Sequence, residues 1–447
     1  MYTAEIGKII FERWRERVKQ PDTTVREYFD GPFFNLFFDD ERYLMLANNS
    51  KFDQAYKQKK KKPLTAEVRQ AALADFHNAI DEVEGREGHL FMGGYTKNAE
   101  DATSSMISRI QGNVDSDEIY YSWLGMAAGI GVKGGVSLLI NDPEILDQIV
   151  EGWEHYRSFM QKTSSLKPHQ IDTWNGWWLV HRNRLRGYQP DDPLANFPPS
   201  GSVTVKNEVA AFNTVDWIKV FFALSDKLGA QRLPAYVYSF GQTNTSIGFI
   251  PIILQDVRKL KELYQQLFGA KDFSREKDTL NELYQTQLGF LTACQMGAIG
   301  LRAMEPKDLR KYMSTGSTVG KSIKTTDADT AVSFKTYQTW IIAMLNNTEL
   351  LLGAEKLATE LVGTSPSKRG KKVLDQLVNA VLEASGKRKF IEALTDLLEN
   401  QEFRAQREGK SNTIFDEMVT EIVAMPSANV PLFLTLLRFK YAFNNQK

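Results

Sequence analysis

Near Asp278 the spacing of apolar residues changes character, and with it the kind of core the chain can build. Beyond that point apolar residues recur at helical intervals: Val373/Leu374, Leu377 and Val381/Leu382, then Ile391, Leu394 and Leu398, then Ile414/Phe415, Met418 and Ile422. Each set falls on one stripe of a 3.6-residue helix, so the C-terminal third predicts a helical bundle. Before Asp278, helical stretches alternate with β-branched and glycine-rich ones. A chain of 447 residues exceeds one ordinary core, and two or three domains are expected. The reading is an α+β fold: a mixed body over 1–277, a helical region over 278–362 and a helical bundle over 363–447, with a linker at 363–370 around Pro366.

Within the body, Ile6, Ile9, Ile10, Trp14 and Val18 mark an opening amphipathic helix, and Phe29 to Phe38 a buried irregular stretch. Lys57, Lys59, Lys60, Lys61 and Lys62 end at Pro63 and read as a loop before a helix headed by Thr65, with Leu73, Phe76, Ile80 and Val83 on its stripe. Glycines, β-branched residues and aromatics over 88–139 predict short strands and turns. Asn141, Asp142 and Pro143 stop the last strand and cap a helix reaching Met160. The Trp-, Arg- and Pro-rich segment 168–202 reads as a long functional loop. Strands are expected at 202–205 and 235–240, around a helix over 214–228.

The only cysteine, Cys294, excludes an internal disulfide, a thiolate zinc cage and a CxxC redox pair. Its small apolar neighbours predict a buried packing role. Lys plus Arg equals Asp plus Glu at 55 each, so nucleic-acid binding has to come from local clusters. These are the 57–62 run, Arg182/Arg184/Arg186, Lys368/Arg369/Lys371/Lys372 and Lys387/Arg388/Lys389. No apolar run approaches the roughly 20 residues of a membrane helix. The early residues Glu5, Arg13, Arg15 and Glu16 leave no secretory apolar core, so a cytoplasmic address and no membrane contact are expected.

Motifs for chemistry fail on spacing or context. Gly129, Gly131 and Gly134 satisfy GxGxxG. The following Val136–Ile140 reads as a strand, however, so no helix N-terminus would meet a pyrophosphate. Gly316-Ser-Thr-Val-Gly-Lys-Ser322 resembles a P-loop one residue too short and lacks the preceding apolar strand, which leaves a basic loop whose amides and Lys321 remain candidates for a phosphate. The five histidines show no ligand spacing, and no GxSxG elbow is present. Asp115, Asp117, Asp327 and Asp329 read as solvated turns. No enzyme activity, cofactor or metal is expected.

Two segments carry positive signals for binding. Trp174, Asn175, Trp177 and Trp178, followed by Arg182, Arg184, Arg186 and Tyr188, mix stacking surfaces with guanidinium groups suited to single strands. The alternative is a tryptophan core with solvated arginines. Residues 240–249 read Phe-Gly-Gln-Thr-Asn-Thr-Ser-Ile-Gly-Phe, whose amides and hydroxyls suit base edges, or equally a hydrogen-bonded hairpin turn. The turn over 93–98, ending in Lys97 and Asn98, has the same two readings.

The stretch from Trp123 through Gly129-Ile-Gly-Val-Lys-Gly-Gly135 to Ser137-Leu-Leu-Ile-Asn-Asp-Pro143, with Gly152-Trp153 beyond it, resembles the large subunit of type I, I-B-like, CRISPR surveillance complexes. So does Gln242-Thr-Asn-Thr-Ser-Ile-Gly-Phe-Ile250 leading into Leu263-Tyr-Gln-Gln-Leu-Phe268. The helical C-terminus is similar in character to the family's small-subunit-like bundle. The resemblance implies a non-catalytic Cascade subunit that holds crRNA with a neighbour, recognises the target-adjacent motif (PAM) of double-stranded DNA and stabilises the R-loop. Its implied partners are the backbone and small subunits, with a helicase-nuclease or transposition factor downstream. Some relatives carry paired CxxC motifs; with Cys294 alone, any zinc subdomain must be absent or metal-free here.

Local chemistry then assigns Gln242, Asn244, Lys97 and Asn98 to motif reading. Trp174 is assigned to stacking, and Arg182, Arg184, Arg186, Lys321, Lys324, Lys371, Lys387 and Arg388 to backbone or displaced-strand contacts. Two readings compete: a protein-interaction scaffold subunit, favoured by the neutral net charge, and a nucleotide-binding enzyme assembled from distant residues.

Overall fold

The computed structural model describes residues 2–47, 50–82, 115–183, 188–229, 231–239, 245–269, 280, 282–284, 289–316, 318–323, 328–363 and 371–445. They form an α+β fold with two antiparallel sheets and a helical C-terminal region. The chain divides into two compact units, one of residues 1–255 with 290–298 and the other of 256–289 with 299–447. The division falls at 255/256, ahead of the 277/278 boundary expected from the sequence, and 363 does not open a separate unit.

The first unit opens with α1 (Tyr2–Val18), α2 (Val25–Tyr28), a π-helical turn (Phe29–Phe33), α3 (Phe34–Phe37), α4 (Lys51–Gln58) and α5 (Ala66–Asp81). Then come α6 (Ser116–Ala127), β1 (Ile130–Val132), β2 (Val136–Ile140), α7 (Pro143–Lys162) and α8 (Ile171–Arg182). The hairpin β3 (Val203–Lys206) and β4 (Val209–Phe212) precedes α9 (Trp217–Leu228), β5 (Arg232–Ser239) and β6 (Thr245–Ile253). The larger sheet runs β1-β2-β5-β6, antiparallel throughout, with Ile130 opposite Leu138, Leu138 opposite Val237 and Val237 opposite Gly248.

Several expectations hold. Thr65 caps α5 by accepting from Val68 N, Asp142 caps α7 by accepting from Ile145 N, and the α7 helix reaches Lys162. Residues 116–127, expected as strand and turn, are helical instead. Asp115 caps α6, accepting from Glu118 N at 2.8 Å, and Ile119, Tyr120, Trp123, Leu124 and Ala127 fall on one buried face. The glycine and aromatic texture had masked this helical period. Gly7 and Gly125 bring α1 and α6 together so closely that a Cβ on either would lie within 2 Å of a backbone carbonyl of the other helix. Beside them Thr3 and Ser122 share a buried hydroxyl hydrogen bond of 2.6 Å.

Residues 171–182, expected within a loop, form α8 because every tryptophan finds an indole acceptor. Trp174 Nε1 donates to Gly152 O at 2.8 Å, Trp177 Nε1 to Asn213 O at 2.6 Å and Trp178 Nε1 to Gln148 O at 2.8 Å. Gly152 leaves the room for Trp178, whose Cδ1 would be 2.4 Å from a Cβ there. Gly129 and Gly131 likewise admit Tyr238 and Asp172 against the β1 end, while Gly134 and Gly135 turn the β1–β2 hairpin at φ 109° and 71°. The GxGxxG spacing therefore serves packing and a turn.

The buried Arg157 of α7 donates to Leu36 O and Phe37 O, tying down the aromatic turn, and to Arg42 O. Arg42 in turn donates to Met160 O and Thr163 O at the end of α7. This pair fixes the segment leading through Tyr43 toward α4.

The chain continues through α10 (Leu254–Phe268) and α11 (Gly289–Gln295), where Cys294 is buried and its thiol pushed up to about 11 by desolvation. The second unit holds α12 (Ala328–Leu345), α13 (Glu349–Val362), α14 (Lys371–Glu383), α15 (Lys387–Glu399), α16 (Gln401–Gln406), α17 (Thr413–Ala424) and α18 (Val430–Asn444). α18 is its centre, buried on nearly every side from Val430 to Phe439, with α12 and α13 against it. Among the described residues no helix is long and apolar enough to cross a membrane.

Candidate nucleic-acid interface

Among the described residues, each side chain singled out in the sequence is found in its own local setting. Gln242, Asn244, Lys97, Asn98, Arg184, Arg186 and Lys324 lie outside the described residues, as does the side chain of Lys371 at the first position of α14. Trp174 requires a correction. It is fully buried, stacked 4.7 Å from the Tyr156 ring with Phe197 and Phe212 edge-on. No face is left for a base, and the tryptophan core is the reading that holds.

Arg182 lies in a closed cluster. Its Nε sits 3.2 Å from both oxygens of Glu151, its guanidinium lies 4.4 Å over the Tyr188 ring, and the Tyr188 hydroxyl donates to Glu151 at 2.9 Å. Glu151 therefore offsets the charge that a phosphate would meet here. Lys387 spans to the end of α17, Nζ donating to Val423 O at 2.7 Å, where a cation meets the negative pole of the helix. Arg388 is 91% exposed and pairs with Glu392 at 2.7 Å.

The P-loop-like segment is likewise committed to internal bonds. Thr315 and Thr318 exchange backbone hydrogen bonds, Gly320 N donates to Ser314 Oγ, and Lys321 N donates to Lys311 O. Arg438 of α18 reaches under the loop and donates to Tyr312 O, Ser314 Oγ, Gly320 O and Lys321 O. A Cβ at Gly320 would fall 2.2 Å from Tyr312 O, so that glycine admits the clamp. The amides of Thr315, Thr318, Gly320 and Lys321 thus donate inward and do not face a phosphate. The side chain of Lys321 remains exposed.

A different constellation forms around the lysine run. Ser50 caps α4 by accepting from Asp53 N, and the helix carries Phe52 into the core and Tyr56 to the surface edge. The run begins on this helix, not in the loop expected. Lys59 N donates to Tyr56 O, and Lys61 N and Lys62 N both to Gln58 O, so the lysines stand on a hydrogen-bonded turn. Here the helix carbonyls point at them, a favourable end for cations. Lys57 pairs with Asp53 at 2.6 Å, whereas Lys59, Lys60, Lys61 and Lys62 are exposed and form no ion pair among the described residues.

Beneath the turn, Lys59 Nζ lies 5.3 Å over the Tyr56 ring, and that ring meets His169 edge-on at 4.4 Å. His169 adopts φ 63° and donates its backbone N–H to Tyr43 O at 3.1 Å. Desolvation pushes its imidazole down to about 4; Lys167 and Lys59 add to the shift and Asp53 opposes it. Burial, more than the neighbouring charges, keeps the ring neutral. Helical spacing of Phe52 and Tyr56 could have revealed α4 in the sequence. The meeting of Tyr56 with His169, more than a hundred residues later, left no local signal.

Among the described residues no three His, Cys, Asp or Glu side chains converge to hold a metal ion. Compared with family models, curated proteins and solved structures, the chain gives no match.

Proposed function

We propose that the chain is a non-catalytic, nucleic-acid-binding subunit of a larger cytoplasmic assembly: the large subunit of a crRNA-guided DNA surveillance complex, recognising the PAM and stabilising the R-loop beside backbone and small subunits. The family part of this reading rests on the resemblance of the 123–153 and 242–268 stretches. The binding part rests on one observation: four exposed lysines on an ordered turn, above an aromatic ring, with the Asp53 carboxylate paired to Lys57. Such an arrangement attracts a phosphodiester backbone without reading its bases.

Binding of duplex and single-stranded DNA, measured by fluorescence anisotropy across salt, tests it. Exchanging Lys59, Lys60, Lys61 and Lys62 for Glu should lower the slope of log K against log salt by roughly 2–4, since each phosphate contact contributes about 0.9 on duplex DNA. An unchanged slope would remove the lysine turn as the interface. The scaffold reading keeps one observation in its favour, the internal partners of Arg182, Lys387 and Arg388. It predicts no salt-dependent DNA affinity in either protein.

A further inference from the structure

The second unit carries a groove of about 350 Å³ between α14, α15 and the residues Gly316, Thr318 and Val319. Its floor is made of methyl groups: Ala380 on α14, Ala384 just beyond its end, Ala393 on α15, and Val319, which is 49% exposed. Alanines at these positions keep the two helix faces low and the groove open. On its walls stand Glu383 from α14 and Glu392 and Asp396 from α15, against one cation, Lys389. Positions 389, 392, 393 and 396 share one helical face, so both charge and floor follow from a single stripe of α15.

The opening is preformed. Gly316 O accepts from Ser385 Oγ at 3.0 Å and from Lys389 Nζ at 3.2 Å, which pins the loop to the groove and holds the lysine at its end. Arg438, whose charge Glu383 supports, is spent on the loop's other acceptors. Glu392 is engaged by Arg388 in an exposed i,i+4 pair of the kind that contributes little and exchanges readily. Glu383 and Asp396 have no ion-pair partner among the described residues.

We propose that this groove docks a basic segment of a partner protein, presenting one aliphatic side chain to the alanine floor and flanking lysines or arginines to the two acidic walls. The apolar floor offers nothing to a sugar or a base, and three carboxylates repel a phosphate backbone, so the occupant is a protein segment. A rigid opening lowers the ordering cost of capturing a short peptide. The proposal goes beyond the nucleic-acid reading and does not depend on the lysine turn of the first unit.

The probe is a fluorescein-labelled peptide, Gly-Lys-Arg-Leu-Arg-Lys-Gly, titrated into the full chain by anisotropy, with the same peptide bearing glutamates in place of its basic residues. The basic peptide should bind saturably at one site and the acidic one should not. The double variant E383Q/D396N should weaken binding about tenfold, two exposed ion pairs being lost. Ala380→Trp, at an exposed position, should fill the groove and abolish binding; an unchanged melting temperature certifies that both variants fold. Equal binding to either variant, or absence of binding to the parent chain, would overturn the proposal.

Discussion

His169 shows how a single residue reports its surroundings. Its imidazole, held at about 4 against an ordinary 6.5, stays neutral in the folded chain where the unfolded chain would bind a proton. The folded-state value is depressed, so the stability it contributes is complete above about pH 6.5 and is lost as pH falls toward 4. By pH 5 the loss reaches about 2 kcal/mol at most, reduced by solvent screening at its part-exposed ring. Asparagine tolerates the φ of 63° found there and cannot titrate. Thermal unfolding of His169→Asn should therefore show a smaller drop between pH 7 and pH 5 than the parent chain, with little change at pH 7. Identical acid limbs would mean the imidazole is solvated in the folded state.

Among the elements, the contact of α1 with α6 tests whether two glycines set the geometry of the first unit. A methyl at Gly7 would fall 1.7 Å from Tyr121 O, and the helix backbones would have to part, breaking the buried Thr3–Ser122 bond. Gly7→Ala should cost about 3 kcal/mol or more in denaturant unfolding. Gly31→Ala, with nothing within 4 Å of its new methyl, should be neutral or stabilising by a few tenths of a kcal/mol. The same contact marks what could be read in advance. The α1 stripe, the Asp142 cap and the helical C-terminal repeats were legible because their signals lie within one element. α6 and α8 were not, since their aromatic residues also suit strands and loops. What decides for helix is the Asp115 cap in one case and distant acceptors such as Gly152 O and Asn213 O in the other. Much the same divides the candidate site: the lysine run was visible as a charge cluster, but the Tyr56–His169 support beneath it depends on a long-range contact.

At the scale of the whole molecule, a net charge of zero conceals segregation. The turn at the end of α4 carries four lysines with no ion partner among the described residues, whereas at the start of α15 Lys387 is bonded to Val423 O, Arg388 is paired with Glu392, and Lys389 stands beside Glu383 and Asp396. Cations already engaged in this way, beside a groove with more carboxylates than lysines, leave no positive excess to draw a polyanion, even though the cluster looks basic as a run of letters. Reversing Lys387 and Arg388 to Glu should consequently change the salt slope of DNA binding by less than about 0.5, within what distant screened charges contribute. Its larger effect should be on the fold, since Lys387 Nζ no longer reaches Val423 O at the end of α17. Loss of that helix-end cation is worth about 0.3–1 kcal/mol in unfolding measurements. A slope that falls by 1 or more would return the C-terminal bundle to the phosphate-binding surface. It would also require the acidic groove beside it to be covered when nucleic acid is bound, joining two surfaces that charge alone keeps apart.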